Sequence, residues 1–180
     1  MLNVKIKKLS QDAVIPTYAK HGDAGMDLTA TSKEYDDNGN VVYGTSLAFE
    51  IPHGYVGLLF PRSSNTKKDL VLGNSVGVLD SGYRGEVFLK FKPTAILAKN
   101  PDGAIGISTP QTQDQIEYGF ERIKSYDDYC IGDRIGQIII IPILQVNFVE
   151  VDELSSSDRG VGGFGSTDPI TKSIEENFSA

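Results

Sequence analysis

The 180-residue chain is long enough to bury the core of one domain, and nothing in its length requires a second. A net charge of -7 excludes a surface built to grip nucleic-acid backbone, which needs clustered Lys and Arg, but admits a small anionic ligand that carries its own metal counter-ion. Cys130 is the one cysteine, so an intramolecular disulfide is excluded; it reads as a small packed residue, and with no apolar run of signal-peptide or membrane-span length the expected location is the cytoplasm.

In chain order the signals are those of strands. Val4-Lys5-Ile6-Lys7 alternates, and Ile51-Pro52-His53-Gly54 is a turn that leads into the apolar, β-prone Tyr55-Val56-Gly57-Leu58-Leu59-Phe60. One short helix is predicted over 64–69, with a Ser as its cap and Lys67 and Lys68 near its end. Residues 94–129 are polar, contain the turn Asn100-Pro101-Asp102-Gly103 and keep no sustained period, which predicts an inserted surface excursion. The β-branched run Ile138 to Ile141 is a strand stopped by Pro142. Glycine and proline recur at short intervals, so the fold class is all-β: a jelly-roll-like barrel or sandwich of short antiparallel strands with one short helix. The body is expected over 1–154. Residues 155–180 are expected as a flexible glycine-rich tail, ordered only when something binds it.

Four segments carry chemistry. Between two apolar arms, Asp80-Ser81-Gly82-Tyr83 has the residues of a β-hairpin tip. Such a tip offers main-chain donors and acceptors to a base edge, Tyr83 as a flat surface beside a sugar, and Asp80 as a carboxylate aimed at water; taken alone, Asp80 equally well starts a turn. Pro61-Arg62-Ser63-Ser64 combines an Arg fork and two hydroxyls where a strand ends, the donor set of a phosphate site, although a solvated Arg beside a helix cap fits the same letters. In Ile131-Gly132-Asp133-Arg134-Ile135-Gly136-Gln137, Gln137 is placed to hold a phosphate oxygen or a water, and Arg134 to pair with a carboxylate and organise the core. Residues 160–167 approach a phosphate-cradling G-x-x-x-x-G-K-[ST] loop, but Ser166 stands where the Lys must be and no helix follows. Arg159, the glycine amides, Ser166 and Thr167 still suit phosphates, and Phe164 suits a base.

These segments, with Ala24-Gly25-Met26-Asp27-Leu28 before them, occur in the order of the five motifs of trimeric dUTPases, and the chain resembles that family from Val4 to Thr167 apart from 94–129. The resemblance implies a jelly-roll homotrimer whose active sites are shared between subunits, the tail closing as a lid. It implies hydrolysis of dUTP to dUMP and pyrophosphate by in-line attack of water on the α-phosphorus, which keeps uracil out of DNA and supplies dUMP for dTMP synthesis. Asp80 is then the general base, with Gln137 beside it in the catalytic set. Tyr83 excludes a 2′-hydroxyl, while Asn74, Gly77, Val78 and Leu79 read uracil. Arg62, Ser63, Ser64 and Gln137 hold phosphate oxygens, Arg159, Ser166 and Thr167 take the γ-phosphate, Gly165 beside them is among the substrate-binding residues, Phe164 covers the base, and Phe88 touches the sugar or base. Mg²⁺ is implied as an ion chelated by the triphosphate, with Asp27 reaching it at most through water.

Departures from the pattern are Met26 for an aromatic, Ser64-Asn65 for Gly-Leu, Gly136 for Ala, and Asp168 for Gly. A dCTP deaminase-like enzyme is the nearest alternative. That family carries a Trp after its turn and a catalytic Glu on the next strand, where this chain has Tyr83 and Lys90. A non-catalytic jelly-roll binding protein is the other, with 94–129 as a contact surface for a protein partner.

Overall fold

The computed structural model describes residues 2–94, 96–99, 105–108, 121–122 and 127–162. The chain divides into two compact units, 1–145 and 146–180. The first is a sandwich of two four-stranded antiparallel sheets. One sheet has the order β2 (Met26–Thr29), β13 (Arg134–Pro142), β6 (Tyr55–Phe60), β8 (Gly77–Leu79). The other has the order β3 (Ser32–Tyr35), β4 (Val41–Gly44), β9 (Phe88–Pro93), β7 (Leu70–Leu72). A two-stranded ladder, β1 (Lys5–Lys8) with β5 (Leu47–Glu50), flanks them.

Alternation decides which side chains meet between the sheets. In β9, Leu89, Phe91 and Pro93 point inward and Phe88, Lys90 and Lys92 outward. Leu28, Leu59, Leu79, Ile135 and Ile138 from one sheet pack on Val41, Tyr43, Leu70, Leu89 and Phe91 from the other. Tyr43, Phe91 and Tyr129 form an aromatic cluster, with edge-on Tyr43–Phe91 and Tyr43–Tyr129 pairs at centroid distances of 5.9 Å each.

The all-β jelly-roll expectation holds, and three local expectations do not. First, β8 and β9 do not pair: β8 joins β6 in one sheet, β9 joins β4 and β7 in the other. The Asp80 turn, closed by Tyr83 N–H to Asp80 O at 3.0 Å, therefore crosses from sheet to sheet rather than tipping a hairpin. Leu79 and Leu89 thus reach the shared core from opposite sheets. Second, the short helix is a 3-10 helix, Ser63–Lys67, preceded by Arg62 in extended conformation and without a side-chain cap. Third, Cys130 is exposed rather than packed, because Tyr129 beside it takes the inward direction.

Within 94–129 the described residues form a separate antiparallel sheet of order β11 (Ile105–Ser108), β10 (Ile96–Lys99), β12 (Glu121–Arg122). In the second unit, residues 146–162 contain no regular element; Gly160 N–H bonds Ser157 O at 3.1 Å, and Arg159 Nε bonds Gly162 O at 3.0 Å. No helix among the described residues is long and apolar enough to cross a membrane.

Candidate active site

The residues singled out in the body gather in two separate clefts. The first, a cavity of about 240 Å³, is lined by Leu59, Asn74, Gly77, Val78, Leu79, Asp80, Tyr83, Glu86, Val87 and Phe88. Pairing of β8 with β6 supplies its floor: Leu79 turns into the core while Val78 remains 64% exposed beside it. Ser75 adopts a left-handed φ of 61° next to Asn74, which steers the chain into β8. Tyr83 folds back so that its hydroxyl donates to Glu86 O at 2.9 Å, and its ring lies over Gly85, where a Cβ would collide with the phenol. The ring is thereby fixed at the rim with 44% of its surface open. Glu86, which sequence reading passed over, accepts from Ser46 N–H at 2.7 Å and ties this rim to β5. Its place after Gly85 in the motif was the available signal.

The second cleft, about 380 Å³, is lined by Thr17, Ala19, Asp23, Ala24, Gly25, Asp27, Arg62, Ser63, Arg134, Gln137 and Ile139. Strand register builds it: Asp27, Gln137 and Phe60 lie side by side across β2, β13 and β6, and Arg62 follows two residues later. A β-bulge between Arg134 and Gly136 turns Arg134 onto the face that carries Asp27 and Gln137. Asp27 accepts from Arg62 Nε at 2.7 Å with one oxygen and from Arg134 at 3.1 Å with the other. Arg62 also reaches Ser64 Oγ at 3.2 Å, so Ser64 braces the guanidinium while Ser63 lines the cavity. Gln137 donates to Pro61 O at 3.2 Å, and its carbonyl oxygen rests against Gly25, where no side chain fits. Arg134 is 57% exposed, so it organises this surface and not the core.

With both Asp27 oxygens taken by arginines, and no group of three or more His, Cys, Asp or Glu among the described residues able to hold a metal, the donors do not fit an ion bound by side chains alone. Lys90, at the place of the deaminases' glutamate, pairs with Asp36 at 2.9 Å. Arg159 belongs to the second unit, and Phe164, Gly165, Ser166 and Thr167 lie outside the described residues.

The two clefts occupy opposite corners of one sheet. Asp27 sits on edge strand β2, level with Phe60; Asp80 leaves the other edge strand, β8, next to the position level with Val56. Three strand spacings across and four residues along put them roughly 20 Å apart.

The dUTPase family model matches residues 11–95 and 128–168, and the break between them coincides with the extra sheet. The deoxyuridine 5'-triphosphate nucleotidohydrolase of Clostridium acetobutylicum is 37% identical over 169 residues, which cover 93% of this chain and 97% of that protein. The corresponding protein of Clostridioides difficile is 35% identical, covering 93% and 99%. Among solved structures, a Staphylococcus bacteriophage 80alpha dUTPase with dUpNHpp is 31% identical at a TM-score of 0.67, covering 92% of this chain and 98% of that one. The dUTPase of phage phi11 of S. aureus, described with a species-specific insert, is 28% identical at a TM-score of 0.58, covering 87% and 100%. A further structure of that phage enzyme coordinates a structural Mg(II) ion. A family match over most of the body, with these relatives, shows that the chain belongs to the dUTPase family.

Proposed function

We propose that this dUTPase hydrolyses dUTP to dUMP and pyrophosphate in a site that no single subunit completes. The observation that carries the reading is the diagonal separation of the two clefts. A nucleotide seated against Asn74, Val78 and Tyr83 extends its phosphates only a few ångströms past Asp80, far short of Arg62 and Gln137 in the same chain. A second copy presenting its Arg62 face to the first copy's Asp80 turn closes the gap, and a closed ring of three such contacts is a homotrimer with three sites. The outer face of the β2–β13–β6–β8 sheet supports that assembly. It carries the partly exposed Leu58, Phe60, Ile139 and Ile141, where a solvated antiparallel sheet presents polar residues.

In this site Asp80 orients a water and takes its proton as it attacks the α-phosphorus in line. Asn74 and the main chain of Gly77, Val78 and Leu79 read the uracil edge. Tyr83 stands against the deoxyribose and excludes a ribose hydroxyl, with Phe88, 49% exposed, beside it. Arg62, Ser63, Ser64 and Gln137 neutralise and hold phosphate oxygens, so that the developing charge meets fixed donors. Residues 155–180 act as the lid, Arg159, Gly165, Ser166 and Thr167 taking the γ-phosphate and Phe164 covering the base. Mg²⁺ enters as the counter-ion of the triphosphate, and the arginine-bound Asp27 approaches it only through water. The lone Cys130 and a substrate drawn from nucleotide pools support a cytoplasmic location.

Two measurements test this. Pyrophosphate release without ammonia release from a panel of deoxynucleotides, confined to dUTP, is the expected reaction; ammonia from dCTP would overturn it. Asp80→Asn and Arg62→Ala subunits are each expected to be inactive alone, and after refolding together to regain about a quarter of wild-type activity, because random assortment gives that share of intact pairs. A mixture as inactive as its components would mean that the site lies within one chain.

A further inference from the structure

Tyr129 is the first buried residue after 96–127, the segment the family model skips, and it is 3% exposed. Its main chain is locked at both ends by one side chain: Tyr129 N–H donates to Tyr43 Oη at 3.0 Å, and Tyr43 Oη donates to Tyr129 O at 3.0 Å. Its ring packs on Tyr43 and Phe91, with Lys68 Nζ 5.3 Å from the ring centroid. Its hydroxyl donates to Asn65 Oδ1 at 2.9 Å. Asn65 lies within the 3-10 helix Ser63–Lys67 and spends its amide N–H on Leu70 O at 2.8 Å. A five-residue 3-10 helix without a side-chain cap has little stability of its own. Its position is dictated from outside, and Tyr129 is the core residue that reaches it.

We infer that Tyr129, acting through Asn65, is a positioning residue for phosphate binding: it sets the 3-10 helix so that Ser63 faces the cleft and Ser64 braces Arg62. The inference rests on the reading of Arg62, Ser63 and Ser64 as phosphate ligands. The bond depends on the side chain at 65, because Asn65 supplies the carbonyl acceptor that an apolar residue there would lack. Burial pushes the Tyr129 phenol up from its ordinary value of 10.0, so the hydroxyl remains a donor throughout the neutral range. The neighbouring contacts make the anchor rigid. Lys68 bonds Asp128 O at 2.7 Å and Asp127 at 2.9 Å, Lys33 pairs with Asp128 at 2.6 Å, and Asp69 N–H and Asp127 O meet at 2.9 Å. The root of the insertion and the phosphate-facing helix are thus parts of one hydrogen-bonded unit.

The test is Tyr129→Phe, which removes the hydroxyl and leaves the ring, with Asn65→Leu removing the same bond from the other side. Affinities for dUMP and for dUpNHpp are measured with kcat and KM for dUTP. Both variants are expected to weaken dUpNHpp about tenfold and to raise KM, with dUMP affinity held within about twofold, and the double variant to be no worse than either single. Equal weakening of both nucleotides, or of neither, overturns the inference, since a general loss of stability has no preference for phosphate number. Arg62→Ala is the control for the underlying reading. If it leaves dUpNHpp affinity intact, that reading fails; if it weakens dUpNHpp while Tyr129→Phe and Asn65→Leu do not, only the positioning role fails.

Discussion

Asp27 holds Arg62 through Nε at 2.7 Å, with Arg134 on its other oxygen at 3.1 Å. The arrangement leaves the Arg62 fork directed by the Asp27 carboxylate. Asp27→Ala releases both guanidinium groups. Both side chains of the pair are only about a quarter exposed, and loss of the acceptor leaves two guanidinium groups unpaired, so folding stability is expected to drop by about 1–3 kcal/mol. On the proposed phosphate role of Arg62, its misplacement also acts on rate, and kcat/KM is expected to fall by up to about 100-fold. Steady-state kinetics beside a urea titration separates the two effects.

Asp80 is the carboxylate at the turn. Asp80→Asn keeps its shape and removes its basicity, so turnover is expected to fall about 10²–10⁴-fold while dUpNHpp still binds. Normal turnover in this variant would reassign the base.

Gly85 lies beneath the Tyr83 ring, and a Cβ there collides with the phenol, which is the far end of an exposed side chain. Gly85→Ala is therefore expected to shift Tyr83 at little cost in stability and to lower discrimination of dUTP over UTP. The ratio of kcat/KM for the two nucleotides is the readout.

Gly136 faces Leu89 inside the core, and a Cβ would also come within 2.9 Å of Phe60 O. Leu89 is 1% exposed and has nowhere to go, so Gly136→Ala is expected to destabilise by about 1–3 kcal/mol. A Cβ at 136 needs a smaller neighbour than Leu89, and Gly136→Ala with Leu89→Val should recover part of the loss in chemical denaturation.

Asp36 accepts from the Asn40 side chain, the Lys90 ammonium, and the Asn40 and Asn38 main-chain N–H groups, which hold its carboxyl well below its ordinary value of 3.8. With the folded-state value depressed, the unfolded chain takes up the proton first as pH falls. The contribution to stability is present above about pH 4 and lost below it. Urea midpoints followed from about pH 6 to pH 3 are expected to decline less in Asp36→Asn than in the wild type.

Much of the chemistry was legible because it is written in consecutive residues. Arg62 with Ser63, and Asp80 with Tyr83, stand out as consecutive polar residues before any fold is known, and the structure sets each group in a cleft. Their arrangement in space was not legible. Arms that alternate inward and outward look alike whether they pair with each other or enter different sheets, so the Asp80 turn passed for a hairpin tip. The strands β10, β11 and β12 were missed for a different reason: Ile96-Leu97 and Ile105-Gly106-Ile107 are short apolar signals set in a stretch whose overall polarity was read as a surface excursion. The bond from Tyr129 to Asn65 spans 64 positions, and no local pattern announces it. Cys130 failed through neighbourhood, since the inward direction at that point of the chain went to a tyrosine.

On the proposed shared site, the corner-to-corner spacing of Asp80 and Asp27 makes hydrolysis a property of the assembled state. On that proposal a lone chain turns over nothing, so specific activity is expected to collapse on extreme dilution and return on concentration, following mass action between subunits rather than any repair of the chain.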